Sequence, residues 1–216
     1  ASGNTLNLTV ADYVASPVAI MNSVDIVNIR NVDSAAGAAG LNASTWNGVT
    51  QFWNNMSVDG TVNTAGDVAV TGLNSAATIG VRDTTTATSA TFASSVYSSG
   101  GTVSLAVVDA GSSTTDALVT IGAATAGEAN TLTIAASGSN YVDLASSGTT
   151  VAGATGGVKT LTVTGSGSLE LVDTSGLYFF TGNRSCSNFA AYKTFGNDIG
   201  YWVCYQLFNH YFFSPS

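Results

Sequence analysis

The sequence predicts an all-β protein, a β-solenoid of short stacked strands with an atypical aromatic-rich tail at its end. Three observations predict it. Short runs alternate apolar and polar residues, as a strand with one buried face requires. Glycine or Ser-Gly clusters separate these runs at about 10 to 16 residues, while hairpin signals are nearly absent, Asn47-Gly48 excepted. The apolar positions are Val, Leu, Ile and Ala, which suit a narrow core, and the alternate positions carry Thr and Ser, which stack in ladders. The same strand spacing also fits a β-sandwich, the second architecture in play.

The plainest unit is residues 158–177. Leu161 and Val163 point one way, and Thr160, Thr162 and Thr164 the other. Gly165-Ser166-Gly167 turns the chain. Leu169 and Leu171 then repeat the inward pair, with Ser168 and Glu170 outward. An isolated pair of such strands is marginal in water, so neighbours must continue the core.

From the start of the chain, Leu6, Leu8 and Val10 alternate inward. Val24 to Val32 is a second strand, with Val27 and Ile29 on one side and ambiguous parity at Ile26-Val27, where a bulge or corner fits. Residues 34–40 read as loop and Leu41 to Val49 as a corner. Trp46, Phe52 and Trp53 concentrate aromatic surface there, read either as a cap on the core or as a sugar-stacking platform. Short strands follow at Thr61-Val62, Val68 to Val70, Ile79 to Val81, Val103 to Val107, Leu118 to Ile121, Thr131 to Ile134 and Tyr141 to Leu144. Phe92 anchors the Thr-rich stretch from Thr84 to Ala93.

Composition excludes several functions. Charged residues make up only 8% of the 216, against a usual figure of about 25%. The net charge is −8, and the positive residues Arg30, Arg82, Lys159, Arg184 and Lys193 form no patch. Nucleic acid and anionic membrane surfaces are therefore not expected partners. No run of 18 apolar residues exists, so no membrane-spanning helix is expected. The chain begins at Ala1 without a signal peptide and reads as a segment of something longer.

The stretches Thr5 to Val10, Ser23 to Ile29, Gly40 to Val49 and Lys159 to Leu177 resemble the lattice domains of Gram-negative bacterial S-layer proteins. They are closest in style to the Caulobacter type and to related type I-secreted surface adhesins. The likeness covers most of residues 1–177. It implies a secreted protein of the bacterial cell surface, a partner in further copies of itself, and contact with cell-surface polysaccharide. It also implies calcium. The repeat Gly-Gly-x-Gly-x-Asp does not occur, however, so calcium would use irregular sites. Asp83, Asp109, Asp116, Asp143 and Asp173, beside turns, are the candidate ligands, because a hard cation needs several oxygens. Solvated turn aspartates are the alternative.

At Tyr178 the composition changes. Residues 178–216 hold both cysteines, the single histidine and most aromatics. Three readings stay open: a cap on the solenoid end, a secretion signal, or a frameshifted stretch. Cys186 and Cys204 read as one disulfide or as two buried thiols.

No catalytic constellation appears. A Ser-His-Asp site would have to use His210, beside Tyr211 and Phe212. The only glutamates, Glu128 and Glu170, stand near no aromatic cluster. The expectation is a non-enzymatic protein that assembles into a lattice or fibre, with a glycan-binding adhesin module using Trp46, Phe52 and Trp53 as the alternative.

Overall fold

The computed structural model describes residues 3–11, 20–33, 39–58, 65–93, 95–96, 101–123, 131–145, 160–172, 185–186 and 191–192. Over these residues the protein is a β-solenoid with no helix. In chain order the strands are β1 (Thr5–Val10), β2 (Met21–Asn22), β3 (Ile26–Asn31), β4 (Ala39–Asn42), β5 (Trp46–Asn47) and β6 (Gln51–Asn55). Then come β7 (Val68–Leu73), β8 (Thr78–Arg82), β9 (Thr88–Phe92), β10 (Thr102–Val108), β11 (Ala117–Ala123) and β12 (Thr131–Ser137). The last are β13 (Ser139–Ala145), β14 (Thr160–Gly165), β15 (Ser168–Val172), β16 (Ser185–Cys186) and β17 (Ala191–Tyr192).

Successive strands alternate between two parallel sheets. The first has eight strands in the order β1-β3-β6-β8-β10-β12-β14-β16. The second has seven, β17-β15-β13-β11-β9-β7-β4, and β2 with β5 adds a short third side near the start. Each coil returns to the same face in the same direction, which forces parallel pairing, and the ladder hydrogen bonds run along the solenoid axis.

Register fixes the core. One inward column of the first sheet runs Leu6, Val27, Phe52, Ile79, Leu105, Ile134 and Val163, one residue per coil. The second sheet answers with Leu41, Val70, Ala90 and Ile121. From Val27 and from Leu41 onward both columns belong to one apolar cluster. Each buried Leu, Ile or Val side chain contributes about 1.5–3 kcal/mol. Phe92, the anchor expected in the Thr-rich stretch, is fully buried.

The structure refines three expectations. The pairs Leu161/Val163 and Leu169/Leu171 do not stack on each other. They lie on β14 and β15, in opposite sheets, across a corner at Gly165 (φ 111°). Val163, Leu169 and Leu171 are buried; the side chain of Leu161 falls outside the described residues, and its backbone pairs with Leu132. The true repeat is the coil, which spans 21 residues from Leu6 to Val27 and 29 from Leu105 to Ile134. Second, β3 runs regularly through Ile26-Val27, and the irregularity sits instead between Val70 and Leu73 of β7. Third, Leu8 is 37% exposed, because β1 is the terminal strand of its sheet and no described rung covers it.

The corners after the first-sheet strands form a column of their own. Met56, Asp83, Asp109 and Gly138 follow β6, β8, β10 and β12, with φ of 58°, 49°, 49° and 72°. A left-handed residue turns the chain sharply there. Each of the first three donates its backbone N–H to the next coil: Met56 to the Arg82 carbonyl, Asp83 to that of Val108, Asp109 to that of Ser137. At the fourth, a side chain would have to displace the Asp109 carboxylate, since a Cβ on Gly138 would lie 2.0 Å from Asp109 Oδ1. Strands β16 and β17 pair with β14 and β15, so both sheets continue past residue 177. The strand expected at Thr61-Val62 lies outside the described residues.

Candidate functional site

The solvent-facing surfaces are the outer faces of the two sheets. Along the first sheet the outer columns change character. The early coils present Asn7, Asn28, Arg30, Gln51, Trp53 and Arg82. Asn28 Nδ2 donates to Asn7 Oδ1 at 2.7 Å, which ties two rungs through their side chains. Later coils present Thr102 and Thr131, Ser104, Thr133 and Thr162, and Ala106 and Ala135.

Trp53 explains part of that change. Its ring lies flat against Gly80 of the next rung, where a Cβ would stand 2.1 Å from an indole carbon. The Arg82 guanidinium lies over the ring, 4.4 Å from its centre, a cation–π contact. Nε1 donates to Gln51 Oε1 at 2.9 Å. Trp53 is therefore only 8% exposed although it is on the outer face. Trp46 and Phe52 are buried in the core cluster. The three aromatics thus share no exposed ring face. A glycine in the middle of the strand Ile79-Gly80-Val81 was the signal of this close approach.

The outer face of the second sheet is acidic in its late coils. Asp143 lies level with Leu118, and Glu170 with Tyr141. Asp116 immediately precedes β11. Partial burial holds the Asp116 carboxyl above the usual carboxylate range, and the neighbouring Asp143 carboxylate adds to this.

Of the five aspartates singled out as calcium ligands, Asp116 and Asp143 thus come together. Asp83 and Asp109 stand at successive rungs of the corner column, and Asp109 Oδ1 accepts from the Ser139 N–H at 2.9 Å. Asp173 lies outside the described residues. Among the described residues no three His, Cys, Asp or Glu side chains converge. Each pair could supply only part of the oxygen shell of a hard cation, with carbonyls completing it. Cys186 lies on β16 opposite Val163, whereas Cys204, His210 and Glu128 lie outside the described residues.

A buried polar network, unforeseen from sequence, occupies one corner of the early coils. Asn54 is fully buried in an inward column between Ile29 and Val81. Its Nδ2 donates to Thr86 Oγ1 at 3.0 Å and to Thr88 Oγ1 at 2.9 Å. The Thr84 and Thr86 hydroxyls are 2.9 Å apart, and Thr84 donates to the Ser57 carbonyl. Ser57 Oγ accepts from the Asn31 N–H, and Asn31 Nδ2 donates to the Asp67 carbonyl, both at 2.8 Å. The Asp67 carboxylate accepts from the Ala87 N–H. This network pins neighbouring coils in register. Asn54 Oδ1, like Asn55 Oδ1 and Trp46 Nε1 elsewhere in the early coils, is buried without a hydrogen-bond partner among the described residues, a cost of about 1–3 kcal/mol for such a group.

Comparison with family models, with curated proteins and with solved structures finds no match. The likeness to S-layer lattice domains therefore rests on the wording of the sequence alone.

Proposed function

We propose that this chain is a structural protein of the bacterial cell surface that assembles with copies of itself into an S-layer-like lattice or fibre. The observation that carries the reading is the pair of in-register parallel sheets, whose outer faces repeat small polar residues from rung to rung and so offer extended, repetitive contact area along the axis. A lattice is preferred to a glycan-binding module because Trp46 and Phe52 offer no open ring face and Arg82 covers Trp53.

Secretion to the surface and stabilisation by calcium belong to the same proposal. Calcium would use the Asp83/Asp109 pair of the corner column together with carbonyl oxygens. Electron microscopy of the purified chain with millimolar calcium and with chelator tests the reading. Sheets or filaments are expected. A chain that stays monomeric under both conditions, yet binds a glycan array, refutes it. A melting temperature that does not rise with calcium removes the metal alone.

A further inference from the structure

We infer that the outer face of the second sheet of one copy docks on the outer face of the first sheet of another, Asp116 and Glu170 against Arg30 and Arg82. The inference rests on the self-assembly reading and names the lateral contact it would use.

The two faces carry opposite charge at the same spacing. Ile29 pairs with Asn54, so Arg30 is level with Asn55, and Asn55 pairs with Arg82. The two arginines therefore occupy one column two strand steps apart, about 10 Å. On the second sheet, Glu170 pairs with Tyr141. Ala117 pairs with Val142, which places Asp116 level with Tyr141. Asp116 and Glu170 are likewise two steps apart in one column. Both separations come from the same interstrand repeat, so two guanidiniums meet two carboxylates without distortion of either solenoid. Asp143 deepens the negative potential of that face.

Among the described residues neither arginine is paired with a carboxylate. Arg30 Nε donates to the Met56 carbonyl at 3.1 Å, and Arg82 lies over the Trp53 ring. A carbonyl and an indole are neutral partners. Arg30 and Arg82 are the only positively charged side chains among the described residues, and both stand in this one column. A chain of net charge −8 repels its own copies, so a contact that pairs these two residues with carboxylates has a direct electrostatic advantage. The two faces differ, so the contact is heterologous, and each copy that docks presents its own free face to the next, as a lattice requires.

Charge reversal tests the contact in the full chain, in the buffer in which the wild type assembles, with light scattering and electron microscopy as readouts. R30E/R82E and D116R/E170R are each expected to raise the concentration at which assembly begins about tenfold or more, since attraction becomes like-charge juxtaposition. An equimolar mixture of the two variants is expected to assemble again, and R30K/R82K to assemble close to wild type. Circular dichroism confirms that each variant keeps its sheet content. Recovery on mixing cannot come from unfolded material, so it supports the inference by itself. If the wild type assembles and both reversed variants do so at the same concentration, the contact is overturned while the assembly reading stands. If the wild type assembles only on addition of an acidic polysaccharide, the arginine column serves that partner and the inference falls. If the wild type never assembles, the assembly reading falls first.

Discussion

The early and late coils of the first sheet share a backbone but not a surface. Their inward column is apolar throughout: Phe52 and Ile79 early, Leu105, Ile134 and Val163 late. Their outward columns diverge. Trp53 lies flat on Gly80 beneath Arg82, whereas the next two rungs of that column are Ala106 and Ala135. The inside also differs, because Asn54 takes an inward place that Val81 and Val107 hold in the following coils. Coil stacking thus demands apolar volume along one column and leaves neighbouring columns free to vary rung by rung.

The shared column is the place to strike hardest. Phe52→Ala and Ile134→Ala should each cost about 2–5 kcal/mol, read by denaturant melts, and a large inequality between them would break the equivalence of the halves. Outside, one column should behave in two ways. Gly80→Ala forces the indole to move and should cost about 1–3 kcal/mol, while Ala106→Ser one rung away should stay within about 0.5 kcal/mol. Asn54→Ala strips a donor from two threonine hydroxyls and should cost about 1–3 kcal/mol. Arg82→Ala should cost about 0.5–1 kcal/mol and make Trp53 more accessible to an acrylamide quencher.

The smallest effect lies on the other sheet. Asp116 holds its proton more tightly when folded than in the unfolded chain, so folding takes up protons between the two pKa values. Stability should therefore fall slightly as pH rises through that window. Asp116→Asn should remove the slope and change stability at neutral pH by no more than about 0.5 kcal/mol. Equal slopes for both proteins in pH-dependent melts would mean that neither the partial burial of Asp116 nor the Asp143 carboxylate beside it affects stability.

Much of the architecture could be read from alternation. Val27, Ile29, Val163, Leu169 and Leu171 all face inward as their parity requires. The stacking partner could not be read, because corners of unequal length make the coil vary from 21 to 29 residues along the first sheet and hide the repeat. Leu169 was the nearest echo of Leu161 in sequence, yet the backbone of Leu161 pairs with Leu132. The polar interior was concealed for another reason. Thr84, Thr86 and Thr88 keep inward parity with Ala90 and Phe92, but a hydroxyl at an alternating position looks like a surface residue unless its partners are known. Of the candidate site residues, exposure of Asp116 and burial of Trp46 and Phe52 depend on which coil covers them. Only the tertiary register supplies that.

The direction of the ladder hydrogen bonds has a mechanical consequence. Tension applied between the two ends of the stack draws neighbouring coils straight apart, and coils can separate one after another like pages from a spine. Tension applied across the stack runs along the strands instead, loading every bond of a rung together in shear. A layer built from such units would resist stretching most strongly crosswise, with its weak direction lying along the axis.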